Sequence, residues 1–222
     1  RTGSVRHAKG VHWAPFVVPN ANLAEPFPIN MRADPTFSTL KHITGFSDAE
    51  LDLVLGYFEQ KVFKKRSLVH PAGKVANAVY FVESGCLRLF YTKDGVERTT
   101  YFFTEHMFAG TYDSFISRKP SLIAMEALED TQVLALSYAA LEKLYHVFPK
   151  MNEFVRKSIE QRFVVLHDLF TSYLLNSPEE RYRDLLKERP DLIQRVPQHH
   201  IVSFIGVTPV SLSRIRRRIA AH

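Results

Sequence analysis

Apolar positions recur along this chain with two rhythms that alternate. Leu51, Val54, Leu55 and Phe58 fall three and four residues apart, which predicts a helix running to about residue 60. Order is expected to begin near Ser47, where Ser47-Asp-Ala-Glu50 forms a capping box of hydroxyl and carboxylate three residues apart. Between Ser67 and Leu136 the rhythm shortens to β-type runs: Val79–Val82, Cys86–Thr92, Val96–Phe103, Leu122–Ala127 and Thr131–Leu136. Asp94-Gly95 predicts a hairpin between two of them, because both residues tolerate positive φ. Short strands at such regular spacing predict a small barrel or sandwich. Helical spacing then returns, in a short segment over about 138–147 that Pro149 ends and a longer one over about 150–175.

The longer segment carries Met151, Phe154, Val155, Ile159, Phe163, Leu166, Phe170 and Tyr173 in steps of three and four. A stripe of seven turns exceeds what one surface helix needs and resembles a coiled-coil seam. Part of it is expected to pack on its own barrel. Phe154, Ile159, Phe163, Leu166 and Phe170 are the candidate contacts between two copies. Ser177-Pro-Glu-Glu180 is a second capping box with proline at the first helical position, so a new helix starts there. Asn176-Ser177 is the expected hinge. The chain thus divides into a flexible, proline-marked extension over 1–35, a β-roll over 36–148, a long dimerisation helix and hinge over 149–176, and a helical domain over 177–222.

Two short apolar stripes close the sequence: Ile201, Val202 and Ile205, then Leu212, Ile215 and Ile219. Gly206 lies between them, where a reversing chain favours positive φ. Thr208 offers a hydroxyl N-cap and Pro209 an N1 residue whose missing N–H costs nothing. Val210, Ser211, Ser213, Arg214, Arg217 and Arg218 point away from the buried stripe. Short polar groups followed by arginines suit a helix entering a DNA major groove end-on, as in a helix-turn-helix. Ser211 and Arg214 are the candidate base-edge contacts, with Val210 for a thymine methyl. Thr208, Arg217, Arg218 and Gln198 are expected on phosphates. The competing reading is an ordinary helical hairpin with a solvated basic face, but no acidic residue follows Asp191.

Charge sharpens this picture. The formal net charge is +6 and the sequence pI about 9.4. From Ser177 onward there are nine Lys or Arg against five Asp or Glu, an excess of four. Such asymmetry fits a polyanionic partner. The lone cysteine, Cys86, excludes a disulfide framework and a four-cysteine metal or iron–sulfur site, and reads as a small buried residue. No stretch approaches the ~20 apolar residues of a membrane span, and the N-terminus lacks a signal peptide's apolar segment. A cytoplasmic protein with no membrane partner is therefore expected. His70, His106 and His146 are haem-ligand candidates by residue type alone, and adjacent His199 and His200 cannot chelate as an i, i+4 pair does. No nucleophile–base grouping, phosphate loop or metal-ligand spacing is present, so neither an enzyme nor a cofactor is expected.

Four pieces in order carry a family resemblance: Asn77-Ala-Val-Tyr-Phe-Val-Glu-Ser-Gly-Cys-Leu-Arg-Leu-Phe90, Phe108-Ala-Gly110, Glu126-Ala-Leu-Glu-Asp-Thr-Gln-Val133 and the C-terminal helices. Over about residues 40–219 the chain resembles the Crp–Fnr family of bacterial transcription regulators. The resemblance implies an α+β protein in which a cyclic-nucleotide-binding-type, jelly-roll-like β-roll is joined by a dimerisation helix to a helix-turn-helix. It implies a homodimer on near-palindromic double-stranded DNA, with RNA polymerase as a further partner. In members that bind cyclic AMP, the ligand cassette opens with Gly-Glu and closes with Arg-Ser. Here Thr111 follows Gly110, and gapless counting places Ser121-Leu122 at the closing position, so cyclic AMP is not expected. A different small molecule touching Gly110, Thr111, Tyr112, Asp113, Ser114 or Ser121, or no effector at all, are equal alternatives. Arg118 stands nearby, either for another anion or simply exposed. Many relatives continue past this helix into a β-hairpin wing that touches DNA; the sequence stops at His222, which means either a wingless member or a truncated chain, and wing contacts are left out of consideration. The alternative of another class is a small-molecule-binding regulatory module whose C-terminal helices contact a protein; residues 198–219 discriminate between them.

Overall fold

The computed structural model describes residues 35–220, so the extension assigned to 1–35 lies, apart from Pro35, outside the described residues. Two compact units meet inside one long helix, at Ser158–Ile159.

The first unit opens with α1 (Pro35–Thr44) and α2 (Asp48–Leu55). Order thus begins before Ser47: Phe37, Leu40 and Ile43 of α1 are buried in the core. The Ser47 capping box forms as its spacing demands, Ser47 N donating to Glu50 Oε2 at 2.9 Å and Glu50 N to Ser47 Oγ at 3.3 Å. Glu50 is fully buried, and its other oxygen pairs with Lys150 Nζ at 2.9 Å. A carboxylate removed from water needs such a cation.

The helix expected to reach residue 60 stops at Leu55, and Phe58 instead begins β1 (Phe58–Phe63). The remaining strands are β2 (Leu68–His70), β3 (Ala78–Ser84), β4 (Leu87–Lys93), β5 (Val96–Phe103), β6 (Phe108–Ala109), β7 (Ala124–Ala127) and β8 (Thr131–Ser137). They form two four-stranded antiparallel sheets, ordered β1-β8-β3-β6 and β2-β7-β4-β5. Phe58 pairs with Leu136 across 78 positions of sequence, a contact no helical period can anticipate. β4 and β5 are joined through Asp94 and Gly95, both at positive φ, as the hairpin requires. Leu122, assigned to a strand, lies outside β7 and is exposed.

The α+β architecture is thus a β-roll flanked by helices, its core formed by Phe81, Phe115, Leu134 and Leu136 together with residues of α1 and α2. Cys86 is buried, as expected. So is Arg88 beside it, 1% exposed on β4, its guanidinium ion-paired with Glu126 at 2.7 Å and with Glu97, and stacked on Phe90. After β8, α4 (Tyr138–Val147) leads into α5 (Lys150–Leu175), whose first turns add Met151 and Phe154 to that core. Phe154 meets Phe46 and Phe108 edge-on at centroid distances of 5.8 and 5.7 Å.

The second unit holds the rest of α5 and four helices: α6 (Pro178–Glu188), α7 (Pro190–Arg195), α8 (Gln198–Ile205) and α9 (Pro209–Ile219). Its interior is Tyr182, Leu185, Leu192, Val196, Ile201, Phe204, Leu212 and Ile215. The second capping box forms at Ser177 and Glu180 with Pro178 at N1. Helix α7 is an addition to the sequence reading; Pro190 at its first position was the available sign.

Candidate nucleic-acid interface and ligand cassette

Helices α8 and α9 are joined by a turn whose every residue has a physical task. Gly206 takes φ 77°, and the amides of Gly206 and Val207 both return to Val202 O at 3.1 Å. Thr208 caps α9, its hydroxyl accepting from Ser211 N at 3.1 Å. Leu212 and Ile215 are buried, so the opposite side of α9 is fixed outward. Ser213, Arg214, Arg217 and Arg218 are exposed, Val210 is 61% exposed and Ser211 half-buried.

These side chains are not equivalent. Arg218 ion-pairs with Glu179 of α6 at 2.8 Å. Gln198 is exposed but accepts from Arg216 Nη1 at 3.2 Å. Arg214 and Arg217 carry no ion pair among the described residues. Arg216, not among the residues expected on DNA, ties α9 down: its Nε donates to the Tyr182 hydroxyl at 2.8 Å. Nothing in the spacing separates it from its three arginine neighbours; only the position of Tyr182 does. His199 is exposed and His200 buried, their rings 3.9 Å apart.

The cassette residues lie on one turn and one short helix. β6 runs into Gly110 and Thr111, then α3 (Tyr112–Ser117) and a loop to Ser121. A Cβ on Gly110 would stand 3.3 Å from the Val79 side chain, so the backbone is closely packed there. Ser114 Oγ accepts from Ala76 N at 3.0 Å and donates to Lys119 O. Ser121 Oγ accepts from Ile123 N at 3.0 Å and donates to Ile123 O at 2.9 Å. Two of the three buried hydroxyls therefore already hold the loop itself together. The third, Thr111 Oγ1, is buried with no hydrogen-bond partner. Tyr112 is half-buried and stacks on Phe115 at 5.9 Å, while Asp113 is exposed.

Arg118 is neither a free anion ligand nor simply exposed. From a left-handed backbone (φ 56°) its Nη1 donates to Ala76 O at 2.6 Å and to Phe115 O at 3.1 Å, and its Nη2 to Asn77 Oδ1. The guanidinium lies 4.3 Å over the Tyr138 ring. Its charge latches α3 onto the roll.

The three haem-candidate histidines sit on separate elements: His70 on β2, His106 in the turn before β6 and His146 on the exposed side of α4. Burial holds the His70 imidazole below its ordinary pKa, opposed by a Lys74 backbone hydrogen bond and the Asp113 charge. The folded state therefore favours the neutral ring, and the unfolded chain takes up the proton first. Stability should fall as pH drops through about 6.5 towards the lower folded value. His70→Gln is expected to flatten the decline in melting temperature between pH 7 and 5. Equal slopes for both proteins would show that this ring does not titrate with unfolding.

Comparison with known proteins agrees with this geometry. Residues 60–147 match the cyclic nucleotide-binding domain family. The chain is 25% identical over 181 residues to the cyclic AMP receptor protein of Thermus thermophilus, covering 79% of this chain and 83% of that protein. The crystal structure of the catabolite activator protein of that organism superimposes with TM-score 0.52 at 24% identity, over 82% of this chain and 87% of that one. The c-di-GMP-responsive global regulator CLP of Xanthomonas campestris gives TM-score 0.61 at 17% identity, over 75% and 88%. The roll is thus similar to a cyclic nucleotide-binding domain over residues 60–147. Across most of its length, the chain matches Crp-type regulators in sequence and fold, as the four sequence pieces implied. No described helix is long and apolar enough to cross a membrane.

Proposed function

We propose that the protein is a homodimeric, sequence-specific DNA-binding transcription regulator of the Crp–Fnr type, acting in the cytoplasm on near-palindromic sites. The observation that carries this is the outer face of α9. Its buried stripe and threonine cap fix the helix, and Val210, Ser213, Arg214 and Arg217 project from it into solvent. Arg214 and Ser211 read base edges, Val210 meets a thymine methyl, and Arg217 and Thr208 contact phosphates. Arg218 and Gln198 reach phosphates after exchanging their contacts with Glu179 and Arg216. Exposed Ile159, Phe163, Leu166 and Phe170 on α5 form the seam between copies, while Phe154 belongs to the roll. A dimer of this form supplies a surface that RNA polymerase can meet.

The cassette supports an effector other than cyclic AMP, or none. The roll offers no glutamate after Gly110, and the nearby Arg118 guanidinium is engaged by backbone carbonyls. A cyclic phosphate needs a free cation with aimed donors. The one unpartnered buried group of the cassette, Thr111 Oγ1, suits a neutral hydrogen-bonding ligand.

Selection of bound sites from random duplex DNA, followed by binding curves on the selected palindrome, tests the reading. Affinity should fall steeply with salt, as phosphate contacts require. Arg214→Ala is expected to lose about 1–3 kcal/mol of discrimination at one base of each half-site. Retained sequence preference would remove Arg214 from the base-reading set. Salt-insensitive indifference to every duplex would favour a module that docks on a protein.

A further inference from the structure

One side chain spans the junction between α5 and the reading head. Arg181 lies in the first turn of α6, and its Nη1 donates to Asn176 O at 2.6 Å, the residue directly after α5. Its Nε and Nη2 both donate to Ile205 O, at 3.1 and 2.9 Å, the last residue of α8. The guanidinium also lies 4.9 Å from the centre of the Tyr173 ring in the last turn of α5.

Carbonyls at helix C-termini lack intrahelical donors. Here a single planar fork serves two of them, on different helices, while resting on an aromatic face of α5. Gly206 sits against the same group: a Cβ there would come 3.5 Å from the Tyr173 ring and 3.8 Å from Arg181 Nη2. The turn that launches α9 is therefore seated on the clamp. From its other side, α9 is held to α6 by the Arg216–Tyr182 hydrogen bond. The segment that could pivot freely, Asn176-Ser177-Pro178, is bridged. A lysine keeps the charge and three donors, but on one nitrogen at the end of a flexible stem; it lacks the rigid planar fork that reaches the two carbonyls from separate nitrogens.

We infer that Arg181 is a positioning residue that fixes the angle between the dimerisation helix and the reading helix, and thereby the half-site spacing that the protein accepts. This rests on the DNA-binding reading above. In a symmetric dimer the two α5 helices set the distance between reading heads, so a head free to swivel on α5 would tolerate several spacings.

Two measurements on the full chain test it. In the first, spin labels at Val164→Cys on α5 and Ser213→Cys on α9, in a Cys86→Ala background diluted with unlabelled protein, report the distance within one chain. One narrow distribution is expected with Arg181, a broad one with Arg181→Met, and an intermediate one with Arg181→Lys. In the second, palindromes with the central spacer changed by one base pair either way are compared. Without labels, the protein should prefer one spacing by about tenfold or more, and Arg181→Met by no more than about twofold, with base preference inside each half-site unchanged. Unchanged distance distributions and spacing ratios overturn the inference. So does loss of half-site preference along with spacing, because Arg181 would then hold the head's fold and not its angle. A parent protein that selects no duplex overturns the DNA-binding reading, and the spacing role with it, while the distance distributions alone still judge the clamp.

Discussion

Phe163→Glu combined with Phe170→Glu is expected to convert the proposed dimer into a folded monomer. Helix α5 is 26 residues, about 39 Å long, and only its first turns reach the core of the roll. Beyond them, Phe163 is 70% exposed, Phe170 62%, Leu166 46% and Ile159 41%. At 100° per residue these four lie within about 60° of one another around the helix, a width that suits a two-helix seam. Burying a side chain of this size contributes roughly 1.5–3 kcal/mol. The double variant removes two such residues from each helix and sets four carboxylates in the seam. Dimer affinity should fall on the order of a thousandfold or more. Both positions are open to solvent in the protomer, so its melting temperature should barely change. Sedimentation checks the first expectation and thermal melting the second. DNA affinity should drop to that of a single half-site. A variant that still sediments as a dimer would place the subunit contact elsewhere.

Helical periodicity alone draws Phe154 and Phe163 as one continuous stripe. Their burial differs because Phe154 meets Phe46 and Phe108, residues distant in sequence that the folded roll brings to it. The same distinction explains which features were legible in the sequence. Both capping boxes, the Thr208 cap, the Gly206 turn and the Asp94-Gly95 hairpin are local. Each needs a residue type at a fixed offset, and each formed as its spacing required. Phe58 continues the helical spacing of the residues before it, and only the pairing of β1 with β8 makes it part of a strand. α1 was hidden by the prolines before it, although Phe37, Leu40 and Ile43 carry a helical period.

Arginines were the least legible residues. Arg88, Arg118, Arg181 and Arg216 read as cations in sequence, yet each is committed to particular partners across the fold: carboxylates, carbonyls or a phenol. Arg214 and Arg217 differ in making no such contact, neither ion pair nor side-chain hydrogen bond, among the described residues. The face of α9 opposite Leu212 and Ile215 is exposed, as the spacing of its apolar stripe requires, but the division of its cations between holding the helix and projecting from it depends on partners distant in sequence.

Gly85→Ala should be among the most damaging single-methyl additions in the chain. Gly85 links β3 to β4 at φ 104°, in a region that L side chains rarely adopt. A Cβ there would lie 2.4 Å from Thr131 Oγ1, 2.7 Å from Thr131 Cα and 2.8 Å from Thr131 Cβ. Thr131 cannot retreat, because it is fully buried and paired with Phe63 in the β1–β8 ladder. Its hydroxyl also accepts from Cys86 N at 3.2 Å and donates to Glu129 O at 2.9 Å. Positive φ costs an alanine about 1–2 kcal/mol, and overpacking a rigid core adds about 1–3 kcal/mol. A total of about 2–5 kcal/mol is a large fraction of an ordinary domain's stability. Gly95→Ala supplies the control: its φ is 75°, but nothing lies within 4 Å of the added carbon. It should cost only about 1–2 kcal/mol, the backbone contribution alone. Chemical denaturation of the two variants separates conformational strain from steric conflict, and equal losses would mean that Thr131 moves aside after all.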